Sequence, residues 1–131
     1  MEVIDTSTPA LDRLAELDLT SALAREGGPP DSGAGARFND CVVGLSRFVG
    51  SPPWERHPDS DEILHVLAGH SDLTLLPDTG PVTLALDAGS VVIVPRGVWH
   101  RNHGIPSVTM LYVTPAGGNE HSWADDPRTG S

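Results

Sequence analysis

The 131-residue sequence has a single cysteine, Cys41, and no long apolar run. One cysteine excludes an intrachain disulfide and a cysteine-based metal cluster. No apolar run approaches the roughly 18 residues that a membrane-spanning helix needs, so we expect no membrane partner. Residues 1–5 lack a basic stretch followed by an apolar one, so we expect no signal peptide. A cytoplasmic, reducing location is the simplest expectation.

Basic residues are also scarce. Eight Lys and Arg residues stand against 18 Asp and Glu residues, which gives a formal net charge of −10. An acidic surface repels phosphate backbones and anionic lipid head groups. We therefore expect neither a nucleic-acid partner nor electrostatic docking to a membrane.

Glycine and proline are abundant, with 14 and 12 residues, and they separate short apolar runs. Such spacing is typical of an all-β chain. Strands are predicted at 40–49, 54–57, 62–68, 72–76, 82–86, 90–94, 99–102 and 108–114, with Gly69 ending the third. These segments predict an antiparallel sandwich or a small barrel.

The two ends of the chain differ from this β region. Thr8 as N-cap and Pro9 at the first helical position predict a short helix over about 8–17, and a second short helix is predicted at 20–25. A loop is predicted at 27–35. The polar tail is predicted to be partly disordered or to lie across a surface. We therefore divide the chain into an N-terminal helical and loop extension (1–36), a β-barrel (37–115) and a C-terminal tail (116–131).

The most informative stretch runs from Gly89 to His100. The β-branched run before Pro95 predicts a buried strand, and Pro95 ends it because proline cannot donate to a sheet ladder. Gly97 supplies the positive φ that a tight reversal often needs. This turn places His100 at the start of the next strand.

Three further polar residues have the chemistry to join His100. Glu55 and His57 are two residues apart on one strand and share a face, and Glu62 begins the following strand. If the sheet closes into a barrel, the four side chains can meet inside it. Imidazole and carboxylate ligands suit Zn, Fe, Mn, Ni or Cu.

These residues resemble the two motifs of the cupin superfamily, especially its small bacterial single-domain members. The second motif is matched up to its histidine by Gly89, Pro95, Gly97 and His100, and the end of the first motif by His57, Glu62 and Gly69. The resemblance covers about 38–115. It implies a cupin-type jelly-roll β-barrel, often dimeric, with a metal in its mouth held by His57, Glu62 and His100.

Two positions depart from the family pattern. Glu55 stands where the first histidine is usual, and Gly104 stands where an asparagine usually closes the second motif, with Asn102 nearby. Glu55 as a second carboxylate ligand would suit Fe(II) or Mn(II). If it turns away, the remaining two histidines and one carboxylate form the face that non-haem Fe(II) oxygenases use. Two other roles remain open for Glu55: it acts as a general base, or it forms a salt bridge with Arg56 or Arg101.

The remaining histidines have simpler predicted places. His65 should face away from Glu62, and His103 away from His100, because each is three residues along a strand from it. His70 is predicted in an exposed turn after Gly69, and His121 in the tail.

Taken together, the residues and the resemblance predict a small cupin that binds a divalent metal ion (Fe, Mn, Zn or Ni) and a small organic ligand or substrate. Isomerase, lyase and dioxygenase chemistry all remain open, with Glu55 as the catalytic base if it is not a ligand. The alternative is a non-catalytic cupin that senses or binds a ligand, with or without a metal ion. We expect a homodimer.

Overall fold

The computed structural model describes residues 1–26 and 35–130, and within them the predicted all-β fold is confirmed. Two short helices are present, α1 (Thr8–Asp12) and α2 (Ala22–Glu26). The strands are β1 (Leu17–Leu19), β2 (Ala36–Phe38), β3 (Cys41–Gly50), β4 (Trp54–Arg56), β5 (Glu62–Leu75), β6 (Val82–Asp87), β7 (Val91–Val94), β8 (His100–Arg101), β9 (Gly104–Pro115) and β10 (Glu120–Ser122). Most of the predicted 27–35 loop lies outside the described residues. No helix in the described ranges is long and apolar enough to cross a membrane.

All of these strands belong to one sheet that curls into a half-barrel. Its main path runs β1-β3-β9-β5-β8-β4-β10, while β2 pairs with β3, and β6 and β7 pair with β5. The pairing is antiparallel except between β1 and β3. The three long strands β3, β9 and β5 are neighbours, so they form the wall from which the site is built.

The core lies on the concave face of this wall. Side chains alternate between the two faces of a strand, and every second residue of β5 is accordingly buried from Glu62 to Val66 and again from Ser71 to Leu75. The buried apolar side chains that pack into one core cluster are Phe48, Leu64, Val66, Leu73, Leu75, Leu86, Val94, Val108 and Met110. Glu62 precedes Leu64 on the same face of β5, so its carboxylate points into the barrel beside the core.

Gly69 does not end a strand, contrary to the prediction. β5 continues through it to Leu75, with a φ of +78° at Gly69 and a shift in register against β9 between Gly69 and Ser71. A side chain at Gly69 would overlap the backbone carbonyl of Ser107. The glycine therefore forms an irregularity within one strand, because neighbouring strands keep pairing on both sides of it.

The N-terminal prediction was partly wrong. Helix α1 is capped by Ser7 rather than Thr8 and ends at Asp12, and Leu17–Leu19 forms a strand instead of a helical turn. This strand pairs in parallel with residues 48–50 of β3. Pairing with a sheet edge and packing against the core decide the structure here, whereas local helix propensity is a weak preference.

The tail also contains regular structure. After Gly118, with a φ of +76°, strand β10 pairs with β4 in antiparallel register. The tail was predicted to be partly disordered or to lie across a surface. Residues 120–122 do the second, because they pair with the edge of the sheet. This segment brings new side chains to the site.

Candidate metal centre

Three chain segments bring the four predicted site residues together. Glu55 on β4 is the direct cross-strand partner of His100 on β8. His57 follows the end of β4, and Glu62 begins β5. One ligand atom from each of the four residues lies within 4.8 Å of all the others, so the structure places all four in one cluster.

In this cluster, one carboxylate oxygen of Glu55 and one of Glu62 each lie close to both histidines. Glu62 Oε1 lies 3.0 Å from His100 Nε2 and 3.4 Å from His57 Nε2. Glu55 Oε1 lies 2.8 Å from His57 Nε2 and 3.7 Å from His100 Nε2. The two imidazole rings are tilted by 45°, with their centroids 5.2 Å apart. Both Nε2 atoms therefore face the same small space between the carboxylates.

The outer nitrogen of His57 is held by Asn119. His57 Nδ1 is 2.7 Å from Asn119 Oδ1, and Asn119 Nδ2 donates to the carbonyl of Pro115 at 2.9 Å. The carbonyl can only accept, so the amide orientation is settled and its oxygen must accept the Nδ1 proton of His57. In neutral His57, the lone pair is thus on Nε2 and faces the cluster.

His100 is oriented by the same principle. Its Nδ1 is 3.0 Å from the carbonyl oxygen of Val98, which can only accept a hydrogen bond. Neutral His100 therefore also carries its lone pair on Nε2. A ring proton donated to a carbonyl while the other nitrogen faces the site is the usual arrangement of metal-binding histidines.

Charge is balanced within the cluster even without a metal. Burial disfavours the imidazolium, but Glu55 and Glu62 outweigh it and raise the pKa of His57 to about 10 and of His100 to about 9. Burial likewise favours a protonated carboxyl, but the facing histidines lower the pKa of both Glu55 and Glu62. Two carboxylates and two imidazoliums thus compensate one another.

The donor set fits a divalent cation. His57 Nε2 is buried and makes no hydrogen bond to any described residue, although Glu55 Oε1 is only 2.8 Å away. A buried polar nitrogen is thus left without a hydrogen bond, within 4.8 Å of the other three ligand atoms. Two imidazole nitrogens and two carboxylate oxygens form a set that Fe, Mn, Ni and Zn accept.

A cavity of about 150 Å³ adjoins the cluster, and both Glu55 and Glu62 form part of its wall. The rest of the wall mixes apolar and polar side chains: Leu17, Leu19, Ser46, Phe48, Pro52, Leu64, Asn102, Met110, Tyr112, Thr114 and Asn119. Asn102, near the departure at Gly104, is buried and accepts a hydrogen bond from Ser71. The cavity can hold a molecule about the size of a benzene ring.

The open roles of Glu55 are narrowed by its contacts. Its partners among the described residues are His57, His100 and, through Oε2 at 3.0 Å, His121. Arg56 instead pairs with Glu120, and the guanidinium of Arg101 lies over the ring of Trp54. The predicted salt bridge between Glu55 and either arginine is therefore absent from the contacts among the described residues.

The other histidines lie outside the cluster. His65 is on β5 three residues from Glu62, and His103 is exposed and bonds to Ser51. The predicted exposed turn at His70 was wrong. It lies within β5, where Asp72 and Asp87 each approach one ring nitrogen at 2.8 Å and raise its pKa.

Asn119 and His121 are the functional candidates that the sequence reasoning missed. Both were assigned to the tail, yet they contact His57 and Glu55. A signal was available, because residues two apart share one face of a strand, and Gly117 and Gly118 mark a turn before them. What the sequence did not reveal is which strand this segment joins.

The family model described as "Cupin domain" matches residues 49–114. A curated relative from Bacillus subtilis (strain 168), the uncharacterized protein YdbB, is 38% identical over 78 residues. That match covers 60% of this chain and only 66% of the relative's length.

Solved structures agree on the fold. A cupin-2 domain protein from Shewanella frigidimarina superposes with a TM-score of 0.55 at 20% identity, covering 74% of this chain and 94% of that one. An oxalate decarboxylase from Lactobacillus farciminis, solved as a formate complex, gives a TM-score of 0.56 at 18% identity. That match covers 63% of this chain and 26% of the decarboxylase.

Proposed function

The chain belongs to the cupin family, and from that premise we propose that it binds a divalent metal ion through His57, His100, Glu62 and Glu55, with a small organic ligand in the adjoining cavity. The observation that carries this proposal is the convergence of four ligand atoms within 4.8 Å, with the Nε2 atoms of both histidines directed inward. Fe, Mn, Ni and Zn are the candidate ions.

A bound divalent ion would supply Lewis acidity, which polarises a ligand oxygen placed beside it. The four side chains would hold the ion, and the two carboxylates would balance its charge. Glu62 is buried, with only 4% of its surface exposed, and contacts both histidines. We therefore assign Glu62 a binding role only.

Glu55 is the candidate for proton transfer. About 32% of its side chain is exposed, it lines the cavity, and its Oε2 faces His121 rather than the cluster centre. Its Oε1 can serve as a ligand while Oε2 remains near solvent. General base catalysis needs such a carboxylate within reach of the bound substrate.

The cavity supports a small ligand with both apolar and polar groups. Leu17, Leu19 and Phe48 offer apolar contacts, while Thr114 and Asn119 offer hydrogen bonds. The formate complex of the structurally similar oxalate decarboxylase makes small carboxylic acids the first compounds to test. Isomerase, lyase and dioxygenase reactions are the classes to assay.

The direct test is metal analysis of protein purified without chelator and then supplied with Fe, Mn, Ni or Zn. We expect about one metal ion per chain, and native mass spectrometry should show a small bound molecule. No stoichiometric binding of any of the four ions would refute the proposal. Ligand binding without metal would instead establish the alternative, a metal-free binding cupin.

The variant Glu55→Gln separates the two roles proposed for this residue. It keeps the size of the side chain but removes its charge and its basicity. If Glu55 is a ligand, this variant binds metal more weakly than the unaltered protein. Asp12→Asn serves as the control, because Asp12 is an exposed carboxylate in helix α1, outside the cluster.

We also propose a homodimer that forms through the outer face of the sheet. Two rows of side chains cross β3, β9, β5 and β7 there, and the register aligns each row. The rows are Val43, Val113, Ile63 and Ile93, and Leu45, Leu111, His65 and Val91. Ile63, Ile93 and Val91 are exposed, at 37%, 54% and 58%. A contiguous apolar face of this kind is typical of an interaction surface.

A further inference from the structure

We infer that the C-terminal segment 119–121 supports metal binding, with Asn119 as a positioning residue for His57 and His121 as a positioning residue for Glu55. This inference rests on the metal site proposed above. The segment lies beyond residues 49–114, the part of the chain that the cupin family model matches. The family match therefore does not account for it.

The register of β10 explains why the segment can do this. His121 is the cross-strand partner of Glu55, and Glu120 is the partner of Arg56. Because side chains alternate, Asn119 and His121 share the face that Glu55 and His57 present, while Glu120 lies on the other face. Strand β10 and the residue just before it thus bring two polar side chains to the site.

Asn119 selects the form of His57 that can bind a metal. The chain of bonds runs from the Pro115 carbonyl to Asn119 Nδ2, and from Asn119 Oδ1 to His57 Nδ1, with lengths of 2.9 and 2.7 Å. Without Asn119, nothing among the described contacts would keep the proton of neutral His57 on Nδ1. The proton could then occupy Nε2 and block coordination.

His121 holds the second carboxylate in place. Its Nε2 lies 3.0 Å from Glu55 Oε2, which leaves Oε1 turned toward His57 and His100. Glu55 and Glu62 repel each other, and Glu55 is the more exposed of the two. A hydrogen bond on its outer oxygen keeps Glu55 from swinging out to solvent.

The test compares metal affinity among single variants of the full chain, by competition of Zn²⁺ and Mn²⁺ with a chromophoric chelator. Asn119→Ala and His121→Ala should each bind about 10–100-fold more weakly, the usual cost of losing an outer hydrogen bond to a ligand. Glu120→Gln is the matched control, because it removes the ion pair with Arg56 on the same strand but faces away from the site. It should bind normally.

Two further measurements separate positioning from general support. Asn119→Asp retains an acceptor for His57 Nδ1 and should recover most of the affinity. Thermal unfolding of every variant identifies any that fail to fold.

Distinct outcomes overturn distinct claims. If the unaltered protein binds metal and Asn119→Ala and His121→Ala bind equally well, the inference is wrong and the proposed metal site stands. Equal weakening in Glu120→Gln also contradicts it, because the strand would then act only as structural support. If the unaltered protein binds neither ion, the proposed function itself fails.

Discussion

The backbone N–H of Gly97 donates to the backbone carbonyl of His57 across 2.9 Å. This hydrogen bond joins the turn that precedes His100 to the residue that follows β4, so it links the two halves of the site. Asp61 adds a second link, because its Oδ1 accepts the backbone N–H of Arg96 at 2.8 Å. The Pro95–Gly97 turn therefore sets the distance between the two histidines.

Gly97→Ala should weaken metal binding as well as the fold. Gly97 has a φ of +77°, and an added Cβ meets nothing within 4 Å, so the substitution costs about 1–2 kcal/mol of left-handed backbone strain. Relief of that strain would shift the N–H that bonds His57. Gly89→Ala is the control, because Gly89 has a φ of +96° and equally open space but no contact with the site. Calorimetric unfolding should show a similar loss of stability in both variants, whereas metal affinity should fall only in Gly97→Ala.

His100→Ala should abolish stoichiometric metal binding. The Nε2 atom of His100 is one of four converging ligand atoms. Its removal should therefore lower metal affinity by more than the about 10–100-fold that follows removal of a hydrogen-bond partner of a ligand. His65→Ala is the control, since His65 lies on the same wall but three residues from Glu62 along β5. Metal content by plasma mass spectrometry should fall only in His100→Ala; full occupancy there would contradict the assigned site.

Metal binding near pH 7 should release about two protons. His57 has a pKa of about 10 and His100 of about 9 in the metal-free protein, so both are protonated, whereas coordination needs neutral imidazole. The exchange of two protons for one divalent ion keeps the charge of the cluster unchanged. Titration calorimetry in buffers with different ionisation enthalpies measures the number released. A value near zero would show that the histidines are neutral before the metal arrives.

The metal-free protein should lose stability as the pH rises above about 6.5. The pKa values of His57 and His100 are raised from 6.5 on folding, so their contribution is complete below 6.5 and disappears as the pH passes through about 9 and 10. The pKa values of Glu55 and Glu62 are lowered from 4.5, so their contribution disappears in acid. Thermal unfolding with a chelator should therefore give maximal stability between about pH 4.5 and 6.5, and metal should stabilise most at high pH.

Val91→Glu should convert the proposed dimer into a monomer. Val91 is 58% exposed at the β7 end of the second row, and a buried glutamate without a partner would cost several kcal/mol at an interface. Val82→Glu is the control, because Val82 is 43% exposed on β6, which takes no part in the rows. Light scattering after size exclusion measures the mass. A monomeric unaltered protein would refute the dimer.

Much of the fold was predictable because it depends on local patterns. Glycine and proline separate the strands, and the run Val91–Val94 followed by Pro95 and Gly97 led to a strand and a positive-φ turn, both of which are present. The predicted burial of this strand was wrong, because Val91 and Ile93 are exposed on its outer side and only Val94 is buried. The spacing of His57, Glu62 and His100 predicted a cluster, and the structure brings these residues together with Glu55. The motif spacing predicted the cluster correctly because strand periodicity and turn geometry fix where a residue at a given spacing lies in the sheet.

The failures share one physical cause, which is pairing between segments far apart in the chain. Leu17–Leu19 became a strand because β3 was available to pair with it, and Gly69 did not stop β5 because neighbouring strands continued to hold it. The sequence by itself determined the strands, the turn and the chemical identity of the four ligand candidates. Only the tertiary structure decided that Asn119 and His121 contact two of these ligand candidates, His57 and Glu55. The register of β10 on β4 depends on backbone hydrogen bonds that every residue except proline can make, so the sequence did not reveal it.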